Sequence, residues 1–232
     1  MTGAITLREI DPAMDERTLR RSIVDHCVGM NSSGLNQGTS GNISARCGDR
    51  MLITPSGRPY ATMKPDDIAA MPIDGEYGAW SGPFKPSSEW QFHLDIMKAR
   101  PDVGAIVHTH SPFATVLSMT RRPIPACHYM IAAFGGNDVR CGGYARYGTR
   151  ELSAEALKAL EGRTGCLLAN HGMIALGATL EKAMWTAVEL ETIAKQYYHA
   201  LLIGDLVLLS DAQIAETRKA FATYGLQDEE TA

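Results

Sequence analysis

The sequence contains no apolar run near the ~18 residues that a membrane-spanning helix requires. Its first ten residues already include charged side chains, and the apolar segment of a signal peptide is missing. Internal repeats and low-complexity linkers are absent as well, while hydrophobic residues make up 45% of the chain, as in ordinary globular proteins. These features predict a cytoplasmic protein without a membrane partner. We expect a single domain over residues 1–232, with an acidic tail at about 227–232.

Paired cysteines and excess basic charge are also missing. The five cysteines are scattered, and none belongs to a Cys-x-x-Cys motif, which argues against a disulfide framework and against a cysteine zinc site. The formal net charge of -4 provides no basic surface for nucleic acid. A small anionic substrate stays compatible with this charge, because backbone amides and a metal ion can supply a local positive field.

Two histidines close an apolar segment in the middle of the chain. Residues 103–110 read Val-Gly-Ala-Ile-Val-His-Thr-His between two prolines, which predicts a short buried strand. Side chains alternate along a strand, so His108 and His110 should face the same way, about 7 Å apart at their Cα atoms. That spacing suits two imidazoles on one metal ion; two polar residues at a strand end is the alternative.

A second apolar strand, residues 165–169, is followed by Asn170-His171. Histidines at the ends of two core strands can converge at one edge of a sheet. Glu89, in the first turn of a predicted helix, would complete a set of three histidines and one glutamate. His93 lies one turn further on the same helix face and is a rival ligand that spacing alone does not exclude. Nitrogen and oxygen donors without sulfur favour Zn²⁺, with Mn²⁺, Fe²⁺ or Co²⁺ as alternatives.

Three polar turns can bind an oxyanion through backbone N–H groups and hydroxyls. They are Gly41-Asn42, Ser56-Gly57 and Ser87-Ser88. The third directly precedes Glu89, and a helix rises ~1.5 Å per residue, so an anion and a metal ion there would lie within one small molecule's length. The residues therefore predict a metal site beside a phosphate site, which fits chemistry on a small phosphorylated carbonyl compound.

The hydrophobic pattern predicts helices and strands along the whole chain. Helices are expected at about 14–30, 86–100, 112–119, 150–160, 179–203 and 211–224. Strands are expected at 43–46, 51–54, 68–73, 103–110, 165–169 and 173–176, and residues 127–131 are strand-like.

With these motifs the sequence resembles the class II aldolase/adducin family, most of all its L-fuculose-phosphate aldolases. The resemblance is carried by eight blocks that follow the family's order over nearly the whole chain. They are Gly-Thr-Ser-Gly-Asn (38–42), Thr-Pro-Ser-Gly (54–57), Pro-Ser-Ser-Glu-Trp (86–90), His-Thr-His (108–110), His-Tyr-Met-Ile-Ala-Ala (128–133), Tyr-Gly-Thr-Arg-Glu-Leu (147–152), His-Gly (171–172) and Tyr-Gly-Leu (224–226).

The resemblance implies a three-layer α/β/α domain with a mostly antiparallel central sheet, assembled as a homotetramer with active sites at subunit interfaces. It implies zinc bound by His108, His110 and His171, with Glu89 as fourth ligand and as the group that transfers protons. It places a phosphate pocket at Gly41, Asn42, Ser56, Gly57, Ser87 and Ser88. It also implies that Tyr129 acts as proton donor in a neighbouring subunit's site, and that Tyr147 and Tyr224 contact substrate.

The reaction implied by the family is reversible cleavage of a ketose 1-phosphate to dihydroxyacetone phosphate and a short aldehyde, through an enediolate that the metal stabilises. Tyr147 stands where fuculose-phosphate aldolases tend to have Phe, and Asn170 where they often have His. These departures leave L-fuculose 1-phosphate and a 5-deoxy- or 5-methylthio-ribulose 1-phosphate as alternative substrates.

Two other functions within the family are weighed against aldol cleavage. A pentulose-phosphate 4-epimerase is the nearest, although such epimerases tend to carry Asp at the position of Glu89. An adducin-like binding module is the alternative from another functional class, and such modules lack the metal histidines that this chain contains.

Overall fold

A computed structural model of the chain describes residues 12–221. Its helices are α1 (Pro12–Ser32), α2 (Trp90–Ala99), α3 (Pro112–Met119), α4 (Arg150–Ala159), α5 (Leu180–Ile203) and α6 (Asp211–Phe221). Its strands are β1 (Asn42–Cys47), β2 (Arg50–Ile53), β3 (Ala69–Pro72), β4 (Ala105–Thr109), β5 (Arg140–Gly142), β6 (Gly165–Leu168) and β7 (Gly172–Gly177). None of the described helices is long and apolar enough to cross a membrane.

The strands form one sheet in the order β3-β2-β1-β4-β7-β6-β5. Among the described strands, β5 and β6 pair in parallel, and every other neighbouring pair is antiparallel. The two strands whose ends carry or precede the histidines, β4 and β6, lie on either side of β7. This order brings their polar ends to the same edge region of the sheet.

Alternation along the central strands builds a separate core on each face of the sheet. Ala105 and Val107 of β4 pack into a cluster with residues of α1, α3 and α5, whereas Ile106 packs into a cluster with residues of α2 and α4. Each fully buried Val or Ile side chain stabilises the fold by about 1.5–3 kcal/mol relative to an exposed one. Helices thus cover both faces, and the predicted three-layer α/β/α class with a mostly antiparallel sheet is confirmed.

The strand-like prediction for residues 127–131 is wrong. Tyr129–Phe134 form a 3₁₀ turn, which begins where His128 Nδ1 accepts a hydrogen bond from the Met130 N–H at 3.2 Å. The buried side chains Ile131 and Phe134 are three residues apart. That spacing places them on one face of a 3₁₀ helix, whereas the same apolar run also reads as a strand.

Other differences concern boundaries. The three-residue strand β5 lies in a segment for which the sequence predicted no strand. Helix α2 begins at Trp90, so Glu89 is its N-cap residue rather than part of its first turn. Tyr224 and the acidic tail lie outside the described residues.

Candidate metal centre and active site

Three imidazole rings meet at the end of strands β4 and β6. The ring centroids of His108, His110 and His171 lie 4.8–5.0 Å from one another, and one nitrogen from each ring lies within 4.8 Å of the others. Glycine is required next to this cluster, because a Cβ atom on Gly172 would lie 2.5 Å from the Thr109 carbonyl oxygen. The predicted convergence of the three histidines is therefore present.

The tautomer of His108 exposes its other nitrogen to the cluster. His108 Nδ1 donates a hydrogen bond to the Met173 carbonyl oxygen at 2.8 Å, so a neutral ring has a lone pair on Nε2. Fixing one ring nitrogen on a carbonyl group is the usual way in which proteins orient a metal-binding histidine. The strand pairing of β4 with β7 supplies this carbonyl.

The Glu89 carboxylate reaches into the same cluster from the start of α2. Glu89 Oε2 lies 3.1 Å from His108 Nε2, and Glu89 Oε1 lies 3.2 Å from His171 Nε2. The side chain does not cap its own helix; instead, the Ser87 hydroxyl accepts a hydrogen bond from the Glu89 N–H at 3.3 Å. Engagement by two histidines explains why the glutamate sits at the N-cap position without capping.

Burial and charge set the protonation of these groups. Burial would raise the pKa of Glu89, but the nearby imidazoles of His108 and His171 outweigh burial and hold that pKa well below its usual value. Burial, reinforced by His108 and His171, lowers the pKa of His110 to about 4. Burial also disfavours charged His108, but the charge of Glu89 outweighs burial and raises the pKa of that ring. The raised pKa favours a protonated His108 ring beside the ionised carboxylate, and a bound cation would displace that proton, because histidine binds metal as the neutral imidazole.

Several buried polar atoms at this point have no hydrogen-bond partner. They are Glu89 Oε1, His108 Nε2 and His110 Nε2. Buried polar atoms are rarely left unpaired, and an orphan is explained by an ion or a ligand. Two nitrogens and one oxygen orphaned together fit a divalent metal ion with nitrogen and oxygen ligands. The described residues at this cluster can therefore hold such an ion.

The rival ligand His93 lies outside the cluster. It is fully buried, with Nδ1 2.7 Å from the Ser44 hydroxyl and with Nε2 bonded to the Asn42 side-chain oxygen. Burial, assisted by the charge of His108, lowers its pKa to about 3, so the ring is neutral. His93 is therefore not among the three histidines whose ring nitrogens converge.

Backbone hydrogen bonds join two of the three polar turns predicted for an anion, those at Ser56-Gly57 and Ser87-Ser88. Ser56 N donates to the Lys85 carbonyl at 3.0 Å, and Ser87 N donates to the Thr54 carbonyl at 2.9 Å. Gly41 packs against β4, where a Cβ atom would lie 2.8 Å from the His108 carbonyl oxygen. Of these residues, Ser56, Gly57 and Ser88 are exposed, whereas Ser87 is buried.

The Asn42 side chain has a different place from the one expected of a phosphate ligand. It is 3% exposed, and its amide nitrogen donates to Glu89 Oε2 at 3.0 Å. Sequence reasoning missed this contact, since Asn42 and Glu89 are brought together by the pairing of β1 with β4 and by the position of α2.

A cleft of about 430 Å³ opens over the histidine cluster. Its lining includes Ser88, Glu89, His110 and His171 on the inside and Tyr144, Arg146, Tyr147 and Asn170 toward the rim. The Asn170 side-chain oxygen accepts a hydrogen bond from Arg121 at 2.8 Å, and Arg121 also faces the Tyr144 ring at 5.9 Å. Asn170 has a left-handed backbone (φ 54°), which asparagine adopts more readily than most residues. Tyr147 is thus an exposed part of the cleft lining.

Tyr129 is not part of this cleft. Its ring is 50% exposed and lies on the 3₁₀ turn, where it lines another cavity with residues of α5 and α6. A single copy of the chain therefore does not bring Tyr129 to its own histidine cluster.

A further residue that sequence reasoning missed is Glu191 of α5. Its carboxylate accepts hydrogen bonds from the Ser111 hydroxyl at 2.7 Å and from the Phe113 and Ala114 N–H groups at 2.8 and 2.9 Å. It thereby holds the turn that follows His110. Nothing in the local sequence around Glu191 signals this contact, which joins residues about 80 positions apart.

Comparison with known proteins decides the family. The family model of the class II aldolase and adducin N-terminal domain matches residues 21–198. The chain belongs to the class II aldolase and adducin family. A 5-methylthioribulose-1-phosphate/5-deoxyribulose-1-phosphate aldolase from Rhodospirillum rubrum is 53% identical over 207 residues, covering 89% of this chain and 92% of that protein. An L-fuculose phosphate aldolase from Escherichia coli is 49% identical over 218 residues, covering 94% and 100%.

The fold comparison agrees with the sequence comparison. A solved structure of an L-fuculose 1-phosphate aldolase superposes with a TM-score of 0.84 at 40% identity, covering 88% of this chain and 96% of that one. Family membership and these relatives make the chain a class II aldolase, and class II aldolases depend on a metal ion. The expected enzyme class and family are confirmed.

Proposed function

We propose that this class II aldolase reversibly cleaves a ketose 1-phosphate to dihydroxyacetone phosphate and a short aldehyde. The observation that carries the proposal is the cluster of His108, His110 and His171 with the unpartnered Glu89 Oε1, next to turns that can bind a phosphate. The three histidines and Glu89 would hold the metal ion, with zinc as first choice and Mn²⁺, Fe²⁺ or Co²⁺ as alternatives.

When bound, the metal ion would act as a Lewis acid that polarises the C2 carbonyl and stabilises the negative charge left when the C3–C4 bond breaks. Glu89 carries protons between the substrate oxygens and C3. Its position supports this role, because the carboxylate is 5% exposed and both of its oxygens face imidazole nitrogens at 3.1–3.2 Å. Exclusion of water around such a carboxylate keeps its proton transfers directed to the substrate.

The phosphate would be held by backbone N–H groups and hydroxyls of the joined turns. The candidates are Gly41, Asn42, Ser56, Gly57, Ser87 and Ser88. Asn42 would contribute its backbone, since its side chain is engaged with Glu89. Substrate charge is thus met by fixed dipoles at one end of the site.

The active site is completed by a second copy of the chain, in a homotetramer. The C4 hydroxyl must lose a proton as the bond breaks, and in the reverse direction the aldehyde oxygen must gain one. Tyr129 supplies this group to a neighbouring subunit, which agrees with its exposed ring outside its own cleft. Tyr224 is assigned to the substrate from the resemblance alone, and it lies outside the described residues.

The substrate is proposed to be L-fuculose 1-phosphate or a 5-deoxy- or 5-methylthio-ribulose 1-phosphate. Relatives named for each kind of substrate are 49% and 53% identical to the chain. The cytoplasmic location expected from the sequence stays a prediction.

A direct experiment is to purify the protein, measure its bound metal, and assay release of dihydroxyacetone phosphate from a panel of ketose 1-phosphates. We expect stoichiometric divalent metal and release of dihydroxyacetone phosphate from at least one of these three substrates. Formation of a 4-epimer without release would overturn the aldolase proposal in favour of the epimerase alternative. Absence of metal and of any reaction would favour an adducin-like binding module.

A further inference from the structure

A buried series of hydrogen bonds leads away from the metal cluster. Asn42 and Ser44 lie two residues apart on β1 and therefore on the same face of that strand. The His93 ring of α2 bridges them, with Nε2 bonded to Asn42 Oδ1 and Nδ1 2.7 Å from Ser44 Oγ. Asn42 Nδ2 then donates to Glu89 Oε2 at 3.0 Å. All four side chains are buried, with exposures of 0–5%.

Chemistry allows one direction for these three bonds. The ionised Glu89 carboxylate can only accept, so Asn42 must present its NH₂ group to it. The Asn42 oxygen then faces His93, whose Nε2 must donate. A neutral imidazole has one N–H group, so His93 Nδ1 must accept, and the Ser44 hydroxyl donates to it. The serine thus fixes the tautomer, and the histidine fixes the orientation of the amide.

The Asn42 contact gains importance once the histidines are engaged. If His108 and His171 give their Nε2 lone pairs to a cation, neither can donate a hydrogen bond to Glu89. Among the described side chains, the Asn42 amide is then the group that still donates to this carboxylate. A rotated amide would put its oxygen against a carboxylate oxygen at about the same distance, which is repulsive.

We propose that His93 is a positioning residue, which holds the Asn42 amide with its NH₂ group on Glu89 and so keeps the proton-transferring carboxylate in place. The inference rests on the proposed function, since it concerns the group that moves protons in aldol cleavage. This role agrees with the position of His93, which is fully buried, stacks on Phe92 at 4.6 Å and does not line the cleft.

The test compares His93→Leu with His93→Gln, two variants of similar volume. Gln retains an N–H donor near the position of Nε2, whereas Leu has none. We expect kcat of His93→Leu to fall ~10–100-fold, as for other outer-shell partners of metal sites, with bound metal and KM unchanged. His93→Gln should recover most of kcat. Exchange of the dihydroxyacetone phosphate C3 proton with D₂O should slow in parallel, because it isolates the proton transfer.

Two further variants keep the test decisive if His93→Leu does not fold. Ser44→Ala removes the hydroxyl that fixes the tautomer of His93, and it should lower kcat less than His93→Leu does. Its control is Ser153→Ala, which removes a buried hydroxyl bonded to Asp95 at 2.6 Å, away from the cleft, and should leave kcat unchanged.

Equal kcat in wild type, His93→Leu and Ser44→Ala would overturn the inference, as would loss of metal with no difference between Leu and Gln. If the wild type cleaves no ketose 1-phosphate, the proposed function fails, and a crystal structure of His93→Leu decides the positioning alone. We expect its Asn42 amide to have left Glu89; an unchanged contact at 3.0 Å would contradict the inference.

Discussion

The inner end of the site, at Glu89 and His108, is buried, whereas its rim, at Tyr144 and Tyr147, is exposed. At the inner end, Glu89 and His108 are 5% and 0% exposed, and each is tied to strand or helix neighbours. At the rim, Tyr144 and Tyr147 are 62% and 59% exposed, and each ring faces one arginine side chain at 5.9 and 6.0 Å. A rigid inner end performs one reaction on one kind of group, while a loose rim can change its substrate without disturbing that reaction. The relatives fit this division, because they share the aldolase name and differ in the sugar.

The largest effect should come from removing one leg of the histidine cluster. We expect His110→Ala to lose bound metal and aldolase activity together, by more than the ~10–100-fold cost of losing an outer-shell partner. Metal content and dihydroxyacetone phosphate release measured on the same samples check this. His26→Ala is the control, since His26 lies on α1 and bonds to the Ser22 carbonyl at 2.8 Å, outside the cleft. Retention of both metal and activity would remove His110 from the ligand set.

The role proposed for Tyr129 in a neighbouring subunit's site predicts an effect on catalysis without an effect on bound metal. Loss of a general acid or base costs about 10²–10⁴-fold, so Tyr129→Phe should slow cleavage by that order with full metal content. Mixing Tyr129→Phe with His110→Ala subunits should restore activity, because roughly a quarter of sites in random oligomers combine an intact metal cluster with an intact tyrosine. No recovery in mixed oligomers would contradict action across the interface.

A smaller effect concerns the pH dependence of stability in metal-stripped protein. Burial lowers the pKa of His93 from 6.5 to about 3 in the folded state. The unfolded state therefore binds one more proton between these values, and the free energy of unfolding falls as pH drops through this window. The slope is at most ~1.4 kcal/mol per pH unit for one proton. Denaturant unfolding at pH 7 to 4 should show a shallower fall for His93→Gln; parallel curves would contradict it.

The convergence of the three histidines and Glu89 could be predicted because its sequence signals are local. The His-x-His motif at a strand end and the two serines before Glu89 are each recognisable within a few residues. The convergence of these pieces required only that neighbouring strand ends meet, which the order β4-β7-β6 provides.

What the sequence could not predict depends on register between distant segments. The hydrogen bond between His93 and Asn42 joins residues about 50 positions apart. It exists because β1 pairs with β4 and because α2 carries His93 to β1. The N-cap position of Glu89 follows from the contacts of its carboxylate with His108 and His171 rather than from helix propensity. At residues 127–131 the apolar run fits two periods, and packing of Phe134 selects the 3₁₀ turn.

The smallest expected effect concerns the choice between the proposed substrates. L-fuculose 1-phosphate has a hydroxyl in its aldehyde part, whereas 5-methylthioribulose 1-phosphate carries a thioether there. Because fuculose-phosphate aldolases tend to have Phe at this position, we expect the Tyr147 hydroxyl to favour the methylthio substrate, and Tyr147→Phe should raise kcat/KM for the fuculose substrate relative to the methylthio substrate by about 2–12-fold, the equivalent of one neutral hydrogen bond. Tyr77→Phe is the control, because Tyr77 bonds to Asp95 at 3.1 Å outside the cleft and its loss should leave the ratio unchanged. Equal losses on both substrates with unchanged metal would mean that Tyr147 shapes the rim without selecting the aldehyde, and discrimination would then lie with Tyr144, Asn170 or the neighbouring subunit.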